Sequence, residues 1–127
     1  MLRLIYSSHA VREMTVPDLE QILAVSRARN ALAGITGLLL YRDGIFLQCL
    51  EGDEMAVRQT YARIQRDRRH DRLLHLIEER SDERRFPHWA MEFRRPDVPW
   101  EAALIEGRQP AAGVLQTMMM EGSRPHV

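Results

Sequence analysis

Apolar and polar positions alternate with two different periods along this chain. From Leu2 to Ser7 the period is two: Leu2, Leu4 and Tyr6 share one face, and Arg3, Ile5 and Ser7 the other, as in a strand. The period then lengthens. Leu19, Ile22, Leu23 and Ser26 fall on one face of a helix, with Asn30 a turn beyond. Thr15, Pro17 and Asp18 mark where that helix starts, and Gly34 where it ends. Ile35 to Tyr41 reads as a second strand, turned by Asp43-Gly44 into a third that runs from Ile45 to Leu50. Asp53 caps a second helix reaching to about residue 67, with Val57, Thr60, Tyr61 and Ile64 as its inner stripe. Residues 73–79 form a fourth strand, and Trp89, Met91 and Phe93 alternate as a fifth. After the breaker-rich "RRPDVPW", residues 101–107 and 111–121 are short helical segments. The order β-α-β-β-α-β-β predicts an α+β sandwich of ferredoxin-like type. Two helices lie on one face of a mixed five-stranded sheet, and the short C-terminal helices, over 100–121, on the other.

Three polar side chains occupy positions where this pattern asks for apolar ones: Tyr6, Asn30 and Gln48. Gln48 lies between Phe46 and Leu50 on one face of the third strand. A buried amide without partners costs roughly 1–3 kcal/mol, so that face must hold groups to bond it. Singly, each residue has an ordinary explanation: a packed tyrosine ring, a helix-end cap, a glutamine bonded to backbone. Jointly they can converge between the sheet and the two helices, which leaves a ligand pocket open beside the ordinary readings. The run "RIQRDRRHD", residues 63–71, reads as a solvated helix end whose cations suit the dipole, with Arg69 and His70 able to meet an anion or a carbonyl edge.

Composition removes several function classes. The 18 basic residues, all arginine, balance 18 acidic ones, which argues against electrostatic binding to nucleic acid or a membrane surface. The 127 residues suit one domain. The single cysteine, Cys49, allows no internal disulfide and reads as a core thiol on the face opposite Gln48. No leader and no apolar run of about 18 residues is visible, which predicts a cytoplasmic protein. The histidines have no metal-ligand spacing, and neither a glycine-rich phosphate loop nor a nucleophile–base set can be assembled. No enzymatic chemistry is expected.

The segments "LIYSS" (4–8), "DLEQILAVSRARN" (18–30), "GITGLLLYRDGIFLQCLEG" (34–52), "RIQRDRRH" (63–70) and "RRFPHWAMEF" (84–93) together resemble the BLUF family of flavin-binding blue-light sensors, in family order and spacing. The resemblance covers residues 1–95 and leaves 96–127 as a C-terminal extension for capping or output. It implies a non-covalent flavin, FAD in most members with FMN or riboflavin as smaller forms, lying between the helices over the sheet. Gln48 then bridges Tyr6 and the flavin edge, Asn30 bonds the pyrimidine edge, and Ile22 and Ile64 sandwich the ring. Asp67, Arg69 and His70 match the charged cluster beside it, and Trp89 and Met91 the fifth-strand pair that responds to light. The implied event is loss of an electron and a proton from Tyr6 through Gln48, recombination, and a rotated or tautomerised Gln48 amide with a small red shift. Arg29 stands where many members carry a second asparagine. A stand-alone sensor signalling to a partner protein, with self-association, is the expectation. The rivals are a ferredoxin-like ligand-binding or assembly module without photochemistry, which needs no Tyr6–Gln48 pair, and a small hydrolase, which lacks a nucleophile.

Overall fold

A computed structural model describes residues 1–42, 44–84, 86 and 91–94. The elements are β1 (Leu2–Ala10), α1 (Val16–Ala33), β2 (Thr36–Arg42), β3 (Ile45–Gly52), α2 (Glu54–Gln65), β4 (His70–Arg80) and β5 (Glu92–Arg94). In α1 the Thr15 and Asp18 side chains each accept from the other's backbone N–H, a complete capping box, and Gly34 closes the helix at φ 70°. Asp53 caps α2 by accepting from Met55 N. The helix stops two residues short of the expected end because Asp67 instead accepts from the Arg69 backbone N–H in a turn of its own. β4 is longer than the expected 73–79, since it stays paired with β1 as far as His70 opposite Ala10.

The sheet order is β4-β1-β3-β2-β5. β1 runs antiparallel to both β3 and β4, and β2 antiparallel to β3. β1 and β2 therefore lie parallel on either side of β3, as do β3 and β4 on either side of β1, each pair linked by one helix. β5 begins at Glu92 and runs parallel to β2. Met91 forms a bend just before it, and Trp89 lies outside the described residues.

The two faces of the sheet carry separate cores. Leu2, Leu4, Tyr6, Leu39, Phe46 and Leu50 pack with Leu19 and Leu23 of α1 and Val57 and Tyr61 of α2. Ile5, Leu38, Leu40, Leu47 and Cys49 form the second core with Phe86. This is the face division the alternation predicts, with Cys49 buried opposite Gln48. The helices expected over 100–121 lie outside the described residues.

At one end of the second face sits a buried charge cluster. Arg3 pairs with Glu51 (3.3 Å) and Glu79 (2.6 Å) and donates to the Glu83 carbonyl. Glu51, fully buried, also accepts from Phe86 N at 2.7 Å and Thr36 Oγ1 at 3.0 Å. Arg84 donates to Thr36 Oγ1 and to the carbonyls of Glu51 and Gly34. Four elements and the chain after β4 meet here.

Candidate functional site

The site starts from one rung of the sheet. Tyr6 of β1 pairs with Gln48 of β3, and Gln48 with Leu39 of β2. All three point toward the helices, and with Phe46 they floor a gap between α1 and α2. Ile22 and Ser26 of α1 form one wall, and Ile64, Asp67, Arg69 and His70 the other. The gap has an empty volume of about 480 Å³, the open solvent at its mouth included. An adjoining hollow shares Ile22, Ser26, Gln48, Ile64, Asp67 and Arg69 and adds Asn30, Arg29, Arg63 and Thr60.

Tyr6 donates its hydroxyl hydrogen to Gln48 Oε1. Both side chains are buried. Burial, with the fields of Tyr61 and Asp67 adding to it, holds the phenol above its ordinary ionisation range, so it stays protonated. The Tyr6 ring also packs against Tyr61 of α2, centroids 5.2 Å apart. Behind the pair, Gln48 Nε2 donates to Met91 Sδ at 3.4 Å. The amide that the strand pattern left without partners is thus bonded at both ends. One Nε2–H remains uncommitted among the described residues, at the floor of the gap.

The rim is organised by short-range charge. Arg69 Nε donates to Asp67 at 3.0 and 3.1 Å. That hydrogen bond holds the Asp67 carboxyl below the usual carboxylate range. His70 has both ring nitrogens engaged: Nε2 lies 2.6 Å from the Ile64 carbonyl and Nδ1 2.7 Å from Ser8 Oγ. A carbonyl only accepts, so Nε2 carries the hydrogen, and in the neutral ring Ser8 donates to Nδ1. His70 therefore offers the gap a ring rather than a free nitrogen.

Of the ten residues singled out from sequence, seven line the first hollow: Tyr6, Ile22, Gln48, Ile64, Asp67, Arg69 and His70. Asn30, buried at the end of α1, lines the second. Met91 stands behind Gln48, and Trp89 is outside the described residues. Sequence reasoning put Tyr61 on the inner stripe of α2 but did not single out Ser8, Leu39 or Tyr61 as site residues. Ser8 shares the face of Tyr6 by strand alternation, so it was readable. Leu39 and Tyr61 required the β2–β3 register and the seating of α2.

A flavin fits this donor set. Its flat ring needs apolar surface on both sides, which Ile22 and Ile64 offer across the gap. Its polar edge carries both donors and acceptors, which the Gln48 and Asn30 amides complement. The uncommitted Gln48 N–H needs an acceptor, and a buried unsatisfied donor is costly.

Comparisons with known proteins agree. The family model described as "BLUF: Sensors of blue-light using FAD" matches residues 1–92. The chain is 39% identical over 84 residues to photoactivated adenylate cyclase subunit alpha of Euglena gracilis, covering 66% of this chain and 8% of that protein. It is 35% identical over 89 residues to the blue light- and temperature-regulated antirepressor BluF of Escherichia coli (strain K12), covering 70% of this chain and 22% of that one. It therefore spans less than a quarter of either relative's length. Among solved structures, BlsA in its photo-activated state superposes with a TM-score of 0.84 at 27% identity, covering 99% of this chain and 97% of that one. The sequence match, the phenol–amide rung and the fold converge: this chain belongs to the BLUF family of blue-light sensors that use FAD.

Proposed function

We propose that residues 1–95 are a photosensor unit in which non-covalently bound FAD is read by the Tyr6–Gln48 pair, and that residues 96–127 relay the change to a partner protein or a second copy of the chain. One observation carries this reading: a buried tyrosine donates to a buried glutamine on one sheet rung, at the floor of a gap between the two helices. Bound flavin supplies a blue-absorbing ring that becomes a strong one-electron oxidant when excited.

The rest falls to the chain's own side chains. Ile22 and Ile64 exclude water from the ring faces, and Asn30 and Gln48 fix its edge. Asp67 and Arg69 close the rim as a neutral pair. Tyr6 keeps its proton on the line to Gln48 Oε1, so with a flavin bound the phenol would be placed to give up an electron and pass its proton toward Gln48, and both would return to it on recombination. The amide then has a second stable arrangement, rotated or tautomerised, because the Tyr6 hydroxyl accepts as readily as it donates. Met91 Sδ feels that change directly, and Trp89 is the second residue we assign to the response. The site reads as a two-state polar element biased by light, with a sensing rather than a catalytic task. A ligand-binding module without photochemistry has no use for the phenol–amide pair.

The test is chemical. Protein purified in the dark is expected to be yellow and to release FAD on denaturation, identified by chromatography of the supernatant. A colourless protein that no flavin reconstitutes overturns the reading.

A further inference from the structure

The Tyr6–Gln48 pair does not by itself favour one amide orientation. A tyrosine hydroxyl can donate to Oε1 or accept from an Nε2–H, so turning the amide over leaves that contact intact. Met91 breaks the tie. With Nε2 facing Sδ at 3.4 Å, the amide donates to a weak acceptor. Turned over, it would set Oε1 against Sδ, two acceptors facing each other. The bias of the switch thus depends on where the Met91 sulfur is held.

β5 alone holds it poorly. Among the described residues it is a three-residue strand at the edge of the sheet, with β2 as its one neighbour. Met91 lies outside that ladder, in the bend before it. Two features fix its place. Gly37 of β2 leaves the room: a Cβ there would come within 3.4 Å of the Met91 methyl. The second is a tether from the other layer. Arg27 of α1 donates from Nε to the Met91 carbonyl at 2.9 Å. Arg27 is exposed, lines neither hollow, and has no ion-pair partner among the described residues.

We propose that Arg27 is a positioning residue of the switch: it ties the start of β5 to α1, sets Met91 Sδ against the Gln48 amide, and so biases the amide toward the orientation in which Oε1 faces Tyr6. This rests on the switch reading above, yet half of it concerns the protein without flavin. Releasing the tether lets the sulfur move off, lowers the cost of the turned-over amide and slows its return after light.

The test compares Arg27→Met, Arg27→Gln and Arg27→Lys, the last of which keeps a charged donor. In flavin-free protein labelled at the methionine methyls, with the Met91 resonance assigned through Met91→Leu, the signal should shift in Arg27→Met and Arg27→Gln and stay near wild type in Arg27→Lys. In flavin-loaded protein, Arg27→Met and Arg27→Gln should keep wild-type flavin affinity and return to the dark state about three- to tenfold more slowly, the range expected for one hydrogen bond of ordinary net strength. Arg27→Lys should return within about twofold of wild type. An unmoved Met91 resonance overturns the tether, and an unchanged or faster return overturns its part in the bias. A parallel loss of flavin affinity in all three variants would reassign Arg27 to structure alone. A wild-type protein without any photocycle would sink the switch reading and leave the resonance test to decide the tether.

Discussion

At the residue scale the switch was half legible. Strand alternation put Tyr6 and Gln48 on the helix-facing side, but nothing in either strand alone says that they share a rung; that is a matter of register, set by the whole β1–β3 ladder. The pair's hydroxyl and amide are required for switching, whereas flavin retention rests on packing and Asn30. Tyr6→Phe and Gln48→Leu are each expected to bind flavin and to lose the reversible red shift, read by absorption under blue light. Acidity gives a second check. Burial raises the Tyr6 ionisation range, so the fold favours the protonated phenol. That contribution is complete below the ordinary phenol value of about 10 and fades as pH rises through the folded value. The light response should therefore stay level as pH is raised toward about 10, and a midpoint near neutrality would contradict the buried-phenol account. The charge cluster around Glu51 was not legible, because it joins Arg3, Thr36, Glu51 and Glu79 from four strands whose neighbours and register no single strand records. Glu51→Ala removes the acceptor for Arg3, Thr36 and Phe86 N, and should cost roughly 3–5 kcal/mol, as for a buried ion pair broken on one side. Urea unfolding measures it, with Glu51→Gln expected to lose less because it still accepts.

At the element scale the helices were the most readable parts, since their ends carry their own chemistry. Thr15 with Asp18, Gly34 and Asp53 each do what their residue types predict. Strand edges were harder. The alternation of Trp89, Met91 and Phe93 suggests a strand from residue 89; Trp89 lies outside the described residues, and among those described Met91 is a bend and pairing with β2 runs from Glu92. Periodicity records which face a side chain takes; it does not record where a neighbour starts. Gly37 makes the same point from the other side. A Cβ on it would lie 1.9 Å from the Cys49 carbonyl oxygen of the adjacent strand. Backbone cannot yield that distance cheaply, so Gly37→Ala should cost more than the roughly 1–3 kcal/mol of ordinary over-packing. Thermal unfolding is the readout, and a variant as stable as wild type would show that β2 and β3 separate more easily than their ladder implies.

At the scale of the whole molecule, the α+β plan with two helices on one sheet face followed from element order, and the division into two cores from alternation. What lies beyond the sensor unit did not follow. The photoactivated adenylate cyclase subunit and the BluF antirepressor are far longer than this chain, so their outputs do not transfer to it. Among the described residues no helix is long and apolar enough to cross a membrane. The second face buries Ile5, Leu38, Leu47 and Cys49, and the output role proposed for residues 96–127 has a direct check. A chain ending at Pro96 should keep flavin and photocycle while losing solubility or changing its assembly, as light scattering in light and dark would report; unchanged assembly and an unchanged partner response would remove the extension from the signalling path. All of this rests on one claim, that light resets the hydrogen bonds of Gln48 around a bound flavin. The most direct measurement is the absorption spectrum of the dark-purified protein, taken before blue light, immediately after it, and during return in the dark. The account predicts flavin bands that move slightly to the red and come back fully; a flavin-loaded protein whose bands stay put, or bleach without returning, would contradict it.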